Sequence, residues 1–229
     1  MERKYNVIIG LLAVLAIASL AGFLKTYLVY FPRFEGVSGA THFHFSMFLL
    51  WILIVLYQPY LMKTKQLSRH KSVGKLTYLL APVLIVTVWF MIFQVVQKNI
   101  VKAEPKALIS ATGAILDSVT FSICYLISMW NTQRMRIHTA FLIGACLVIF
   151  NSGIGRLIAL ISNDLAILVM VLLPIIIPGA IMVYEKAKLR RAMLKSPYLL
   201  FMLIWILEVI VFITLPQQEF WKGFIRGLL

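Results

Sequence analysis

The chain has 229 residues, of which 62% are apolar and 13% are charged, with 22 Lys and Arg against 8 Asp and Glu for a net charge of +14. A soluble domain carries about half its residues as apolar and about a quarter as charged. That balance excludes a soluble globular enzyme, a disordered chain and a disulfide-stapled secreted module, and the mean hydropathy of +0.94 points to a membrane protein.

Seven apolar segments follow in chain order: Val7–Leu24, Phe45–Met62, Leu76–Val96, Leu108–Trp130, Ala140–Leu160, Leu165–Val183 and Leu199–Leu215. Each is long enough for a helix to cross a hydrocarbon core roughly 30 Å thick. The first follows Met1-Glu2-Arg3-Lys4, and its Ala16-Ile17-Ala18 mimics a cleavage site, but the run is longer than a usual signal-peptide core. Helix-start signals precede three spans: Glu104-Pro105 the fourth, Ser162-Asn163-Asp164 the sixth and Ser196-Pro197 the seventh. Pro82, Pro174 and Pro178 fall inside spans, where membrane helices tolerate them. No extramembrane segment is long enough for a second domain. The expectation is an all-α bundle of seven transmembrane helices in one domain, residues 1–229.

The basic residues sit in the short connections, which favours topology and anionic lipid over nucleic acid as their explanation. Fourteen lie on the N-terminal side of the spans, in the groups Arg3 and Lys4, Lys63 to Lys75, Arg134 and Arg136, and Lys186 to Lys195. Eight lie on or near the other side: Lys25, Arg33, Lys98, Lys102, Lys106, Arg156, Lys222 and Arg226. The excess predicts a cytoplasmic N-terminus and an outer C-terminus. Cys124 and Cys146 both fall within apolar runs and read as core residues rather than a disulfide or metal pair.

Polar residues inside spans are costly, so their spacing carries information. His44, Trp51 and Gln58 recur every seven residues on one face of the second span. Ser110, Gly113, Asp117, Thr120, Cys124 and Ser128 share a face of the fourth, and His138 and Arg156 are five helical turns apart along the fifth. The small and hydroxylated residues suit close helix packing. Asp117 and Arg156 could pair as a structural ion pair or, with Asn151, line an outward-opening polar cavity with His44 at its mouth and Gln58 on the same stripe as His44. The arginine there favours a small polar or anionic ligand. Glu208, mid-way along the seventh span, is a third intramembrane charge, either structural or a proton-relay carboxyl. His42 and His44 point to nearly opposite sides of a regular helix, so they share a metal only if His42 is still in the loop.

The run His42-x-His44, Trp51, Gln58-Pro59 and Arg69-His70-Lys71-x-x-Gly74-Lys75 resembles a group of uncharacterised bacterial polytopic inner-membrane proteins. Arg136-Ile137-His138 and Gly153-Ile154-Gly155-Arg156 match the later part of the pattern, while Thr139-Ala140 departs from it. The resemblance covers spans two to five and implies class, not chemistry. A more distant likeness is to membrane b-type cytochromes and ferric reductases, whose histidines start successive core helices. It implies one haem b between His70 and His138, an electron-transfer role, and propionate partners among Arg69, Lys71, Arg134 and Arg136. No lysine in the last span serves a retinal protein, no histidine pair there serves a seven-helix amide hydrolase, and neither G-x-S-x-G nor a phosphate-loop motif occurs. The sequence therefore leans away from an enzyme. It leaves three alternatives: a ligand-binding or transport module, a one-haem redox protein, and a structural or accessory membrane subunit.

Overall fold

The computed structural model describes residues 2–228, with side chains described at 5–94, 96, 97 and 104–228. Arg3, Lys4, Lys98 and Lys102, which enter the charge count, lie outside the described side chains. The described residues form helices α1 (Glu2–Gly22), α2 (Gly39–Lys63), α3 (Leu67–Trp130), α4 (Met135–Ile158), α5 (Asn163–Leu189), α6 (Pro197–Thr214) and α7 (Glu219–Arg226), with no strand among them. Seven segments are long and apolar enough to cross a membrane: Tyr5–Gly22, Gly39–Lys63, Leu67–Gln94, Glu104–Trp130, Met135–Ile158, Asn163–Leu189 and Pro197–Gln217. These are the seven spans expected, and the protein is a multi-pass membrane protein.

The helix boundaries differ from the apolar boundaries for local reasons. The Ser38 hydroxyl accepts from the Thr41 amide at 3.2 Å, so α2 begins at Gly39 and takes in both His42 and His44. At its other end Lys65 has φ +60°, Gln66 N–H donates to Leu61 O at 2.9 Å and Lys65 N–H to Met62 O at 3.2 Å. This is a Schellman ending with lysine where glycine is usual. Ser162 caps α5 by accepting from the Leu165 amide at 3.3 Å. Pro197 occupies the first turn of α6, whose Ser196 makes no side-chain cap bond. Glu104-Pro105 does not start a helix: α3 runs unbroken through it and carries the third and fourth spans. The expected connection contains no glycine, and Pro105 is its only backbone breaker. Helix α7 was not foreseen. Its Trp221 and Ile225 turn inward at i, i+4, with Ile225 fully buried, while Phe220 and Phe224 stay exposed.

The chain forms two compact units. The first comprises residues 1–88 and 152–166, and the second residues 89–151 and 167–229. In the first, α1 lies directly on the end of α4. A Cβ on Gly22 would collide with the Gly153 backbone, and one on Gly153 with Ser19, so this is a small-residue contact of the kind that lets membrane helices touch through their backbones. The same unit buries Trp51, Leu61, Ala81 and Leu84.

In the second unit, Phe141, Ala145, Cys146, Phe150 and Phe201 form a close-packed core, and a Cβ on Gly144 would sit 2.5 Å from the Phe201 ring. Cys124 and Cys146 are free and buried, in line with the core reading. Pro174 within α5 has no N–H, so Met170 O, four residues earlier, loses its helical donor. Asn151 Nδ2 donates to that carbonyl at 3.1 Å, and Trp205 Nε1 donates to the adjacent Val171 O at 3.0 Å. One side chain from a neighbouring helix thus satisfies the carbonyl that proline orphans, in a solvent that offers no substitute. Asn151→Ala is expected to destabilise the protein by about 1–3 kcal/mol. Pro174→Ala, which restores the donor, should shrink that penalty in the double variant. A double-mutant cycle on the thermal midpoint reads it, and an undiminished penalty counts against this role.

Candidate functional site

The residues expected to form one site divide between the units. His44, Gln58 and Arg156 belong to the first, Asp117 and Asn151 to the second; the haem candidates divide likewise, His70 in the first and His138 in the second.

In the first unit, the C-terminal end of α1, the start of α2, residue 87 of α3 and the end of α4 meet at one end. Phe23, Tyr27, Phe34, Phe45 and Phe48 form an aromatic cluster there, with Tyr27 and Phe45 ring centroids 4.3 Å apart and Phe23 edge-on to Phe45 at 5.6 Å. The Tyr27 hydroxyl and His42 Nδ1 are 2.6 Å apart. Burial raises the Tyr27 phenol above the ordinary tyrosine range, so it keeps its proton and donates to His42.

His44 is tied differently. Its Nδ1 lies 2.8 Å from Thr87 Oγ1, and that hydroxyl gives its single proton to Leu84 O at 2.8 Å. Thr87 therefore accepts, His44 Nδ1 carries the hydrogen, and in the neutral imidazole Nε2 keeps its lone pair. The two histidines engage separate partners and both lie on the helix, which corrects the one arrangement that would let them share a metal: the Ser38 cap pulls His42 out of the loop. Among the described residues no group of three or more His, Cys, Asp or Glu is placed to hold a metal ion.

Arg156 sits in the last turn of α4, where a cation complements the helix dipole. Its guanidinium carbon stacks over the Phe23 ring at 4.6 Å from the centroid, and it is close enough for its charge to act on His44. The only carboxylates in this unit's sequence are Glu2, Glu35 and Asp164, and Glu35 faces Arg33 in the connection between α1 and α2. Gln58 is 7% exposed, and neither atom of its amide has a hydrogen-bond partner among the described residues. Gly74 on α3 makes room for it, since a Cβ there would lie 3.5 Å from Gln58 Nε2.

In the second unit the polar face of the fourth span meets α6 and α4. Gly113 accommodates the Phe212 ring, and Ser128 pairs with His138. Asp117 faces Glu208 on α6 closely enough for the two carboxyl groups to act on each other, with Thr120 beside Glu208. Within its own unit, then, Asp117 has a carboxyl partner from the seventh span, which the sequence reading treated separately. The signal was their depth, since each lies near the middle of its span. Two carboxyl groups hydrogen-bond only when a proton lies between them, so a bond between this pair requires one. His138 Nδ1 donates to Ser128 O at 3.0 Å, while Ser128 Oγ donates to His138 O at 3.0 Å. This leaves His138 Nε2 as an acceptor. Asn151 is engaged at the Met170 carbonyl through Nδ2, and its buried Oδ1 has no partner among the described residues.

On the second unit's other faces, Glu185 on α5 is bound by Arg136 from α4 and by Arg191, and Arg136 also donates to Lys195 O at 3.2 Å. Arg226 pairs with Glu104, and Trp221 Nε1 donates to Thr112 Oγ1 at 2.7 Å, which fastens α7 to α3.

No family model, curated protein or solved structure matches the chain.

The carboxyl pair makes a direct prediction. Infrared spectra of the protein in lipid should contain a protonated-carboxyl band that Asp117→Asn and Glu208→Gln each remove. Asp117→Asn, which hydrogen-bonds without a shared proton, should cost less stability than Asp117→Leu, whose loss is expected to be about 1–3 kcal/mol. A spectrum unchanged by both conservative variants would count against the pair.

Proposed function

We propose that this multi-pass membrane protein binds a small polar or anionic ligand at the end of the first unit that holds Arg156 and His44, and moves it across the membrane. One observation carries the reading: Arg156 rests on an aromatic ring, beside a neutral histidine acceptor, and no described carboxylate of its unit is bonded to it. A cation in such a place attracts an anion. Gln58, on the same face of α2 as His44 but about 21 Å further along it, offers unused donors and an acceptor deeper in the unit. A proton shared between Asp117 and Glu208 would couple this movement to protons.

The charge excess of the connections supports a cytoplasmic N-terminus, with Lys63, Lys65, Arg69, Lys71 and Lys75 near anionic lipid, and the likeness to bacterial inner-membrane proteins supports that membrane. That orientation puts the Arg156 end outside.

In vesicles holding the purified protein, uptake of small labelled anions should fall at least about tenfold in Arg156→Gln, the scale of a lost charge-assisted hydrogen bond. Asp117→Asn should abolish uptake driven by a pH gradient while sparing exchange. Uptake that ignores Arg156→Gln would refute the reading, and labelling of a cysteine placed within 187–196 from the outside would overturn the orientation.

A second reading, a haem b with His138 as one of its ligands, is favoured by the ring of His138. Its Nδ1 donates to a backbone carbonyl, the orientation a metal-ligating histidine takes, and its Nε2 keeps the lone pair a ligand needs. Bound there, haem would supply one-electron transfer. A b-type reduced-minus-oxidised optical signal, abolished by His138→Ala, is the expected outcome of this reading; a colourless preparation from haem-replete cells would end it.

A further inference from the structure

Two groups at the Arg156 end make different demands on a ligand. Arg156 has only donors to offer, and its charge asks for an oxyanion. His44 asks for the reverse. Its Nδ1 hydrogen is committed to Thr87, whose own proton is committed to Leu84 O, so the imidazole faces any ligand only with the Nε2 lone pair. Nε2 makes no hydrogen bond with a described residue. A fully deprotonated oxyanion would set lone pair against lone pair there. The Phe23 ring, stacked under Arg156 and edge-on to Phe45, the neighbour of His44, closes one side with apolar surface, so no second donor comes from that direction.

From this arrangement we propose that the Arg156–His44 site selects an oxyanion that still carries a hydroxyl, a phosphate or phosphonate group whose OH donates to His44 Nε2 while its charged oxygens accept from Arg156. The proposal rests on the reading of Arg156 as the anion-binding group, and it names the ligand class. Free phosphate and the headgroup of a phosphatidic acid share this chemistry. Both are compatible with an arginine in the last turn of a membrane helix. Thr87 is a positioning residue: it acts through the tautomer of His44.

The test uses the full-length protein in detergent micelles, titrated at neutral pH and constant ionic strength with inorganic phosphate, methylphosphonate and sulfate. Binding is read by calorimetry and by the shift in melting temperature. Sulfate matches phosphate in size and shape but has no hydroxyl at that pH. Phosphate and methylphosphonate are expected to bind about tenfold or more tightly than sulfate. His44→Leu should erase that preference, and Thr87→Val, which frees the imidazole to change tautomer, should narrow it; the melting transition of each variant reports that it is folded. Short-chain phosphatidic acid in the same micelles identifies the source: tighter binding than inorganic phosphate assigns a lipid headgroup, weaker binding a free ion, and both support the hydroxyl-bearing class. Equal binding of phosphate and sulfate that Arg156→Gln abolishes would overturn the class and leave the anion reading standing. Binding indifferent to Arg156→Gln, or none to any of the anions, would overturn both.

Discussion

A hydrocarbon solvent offers no hydrogen bonds, and the rest of this structure depends on that constraint. Every N–H and C=O placed in it must find a partner within the protein, which is why the described chain is helical through all seven apolar segments. Where a proline breaks the ladder, the missing bond has to be replaced. At Pro174 the replacement is Asn151, which reaches the orphaned Met170 carbonyl from a neighbouring helix. Thr77, Thr87, Thr112 and Ser118 each return their hydroxyl to a carbonyl of their own helix for the same reason.

The same constraint turns ordinary side chains into committed ones. A threonine has one proton, so once Thr87 gives it to Leu84 O the tautomer of His44 follows, and with it what that histidine can receive. Ser128 and His138 reach a similar result by exchanging bonds through each other's carbonyls. Charge is handled according to depth. At the ends of helices Glu185 gathers two arginines and Glu104 meets Arg226, as opposite charges do beside water. Mid-span, Asp117 and Glu208 instead face each other, with no counter-ion against either among the described residues.

The spans, their order and the buried character of the cysteines were legible in the chain because they depend on composition over about twenty residues, and transfer to lipid is a sum over such a window. Start signals within one turn were also legible where a side chain reaches its own backbone, as Ser162 does. Local signals failed where two of them competed. Glu104-Pro105 reads as a start, yet the helix on either side continues through it. Helix α7 is too short for a hydropathy window, and its Trp221 and Ile225 acquire meaning only against α3.

Residue types and intervals along one helix were thus determined by the sequence: the stripe from His44 to Gln58, the stripe from Gly113 to Ser128, an arginine in the last turn of α4. Partners between helices were decided by tertiary structure alone. Asp117 was readable as a buried acid, but its meeting with Glu208, some ninety residues later, depends on how α6 lies against α3. Asn151 was readable as an intramembrane amide; that it completes the backbone at Pro174 depends on how α4 lies against α5. Periodicity records which way a side chain faces on its own helix. What it meets there is set by packing, where every apolar surface resembles every other until the few polar groups find one another.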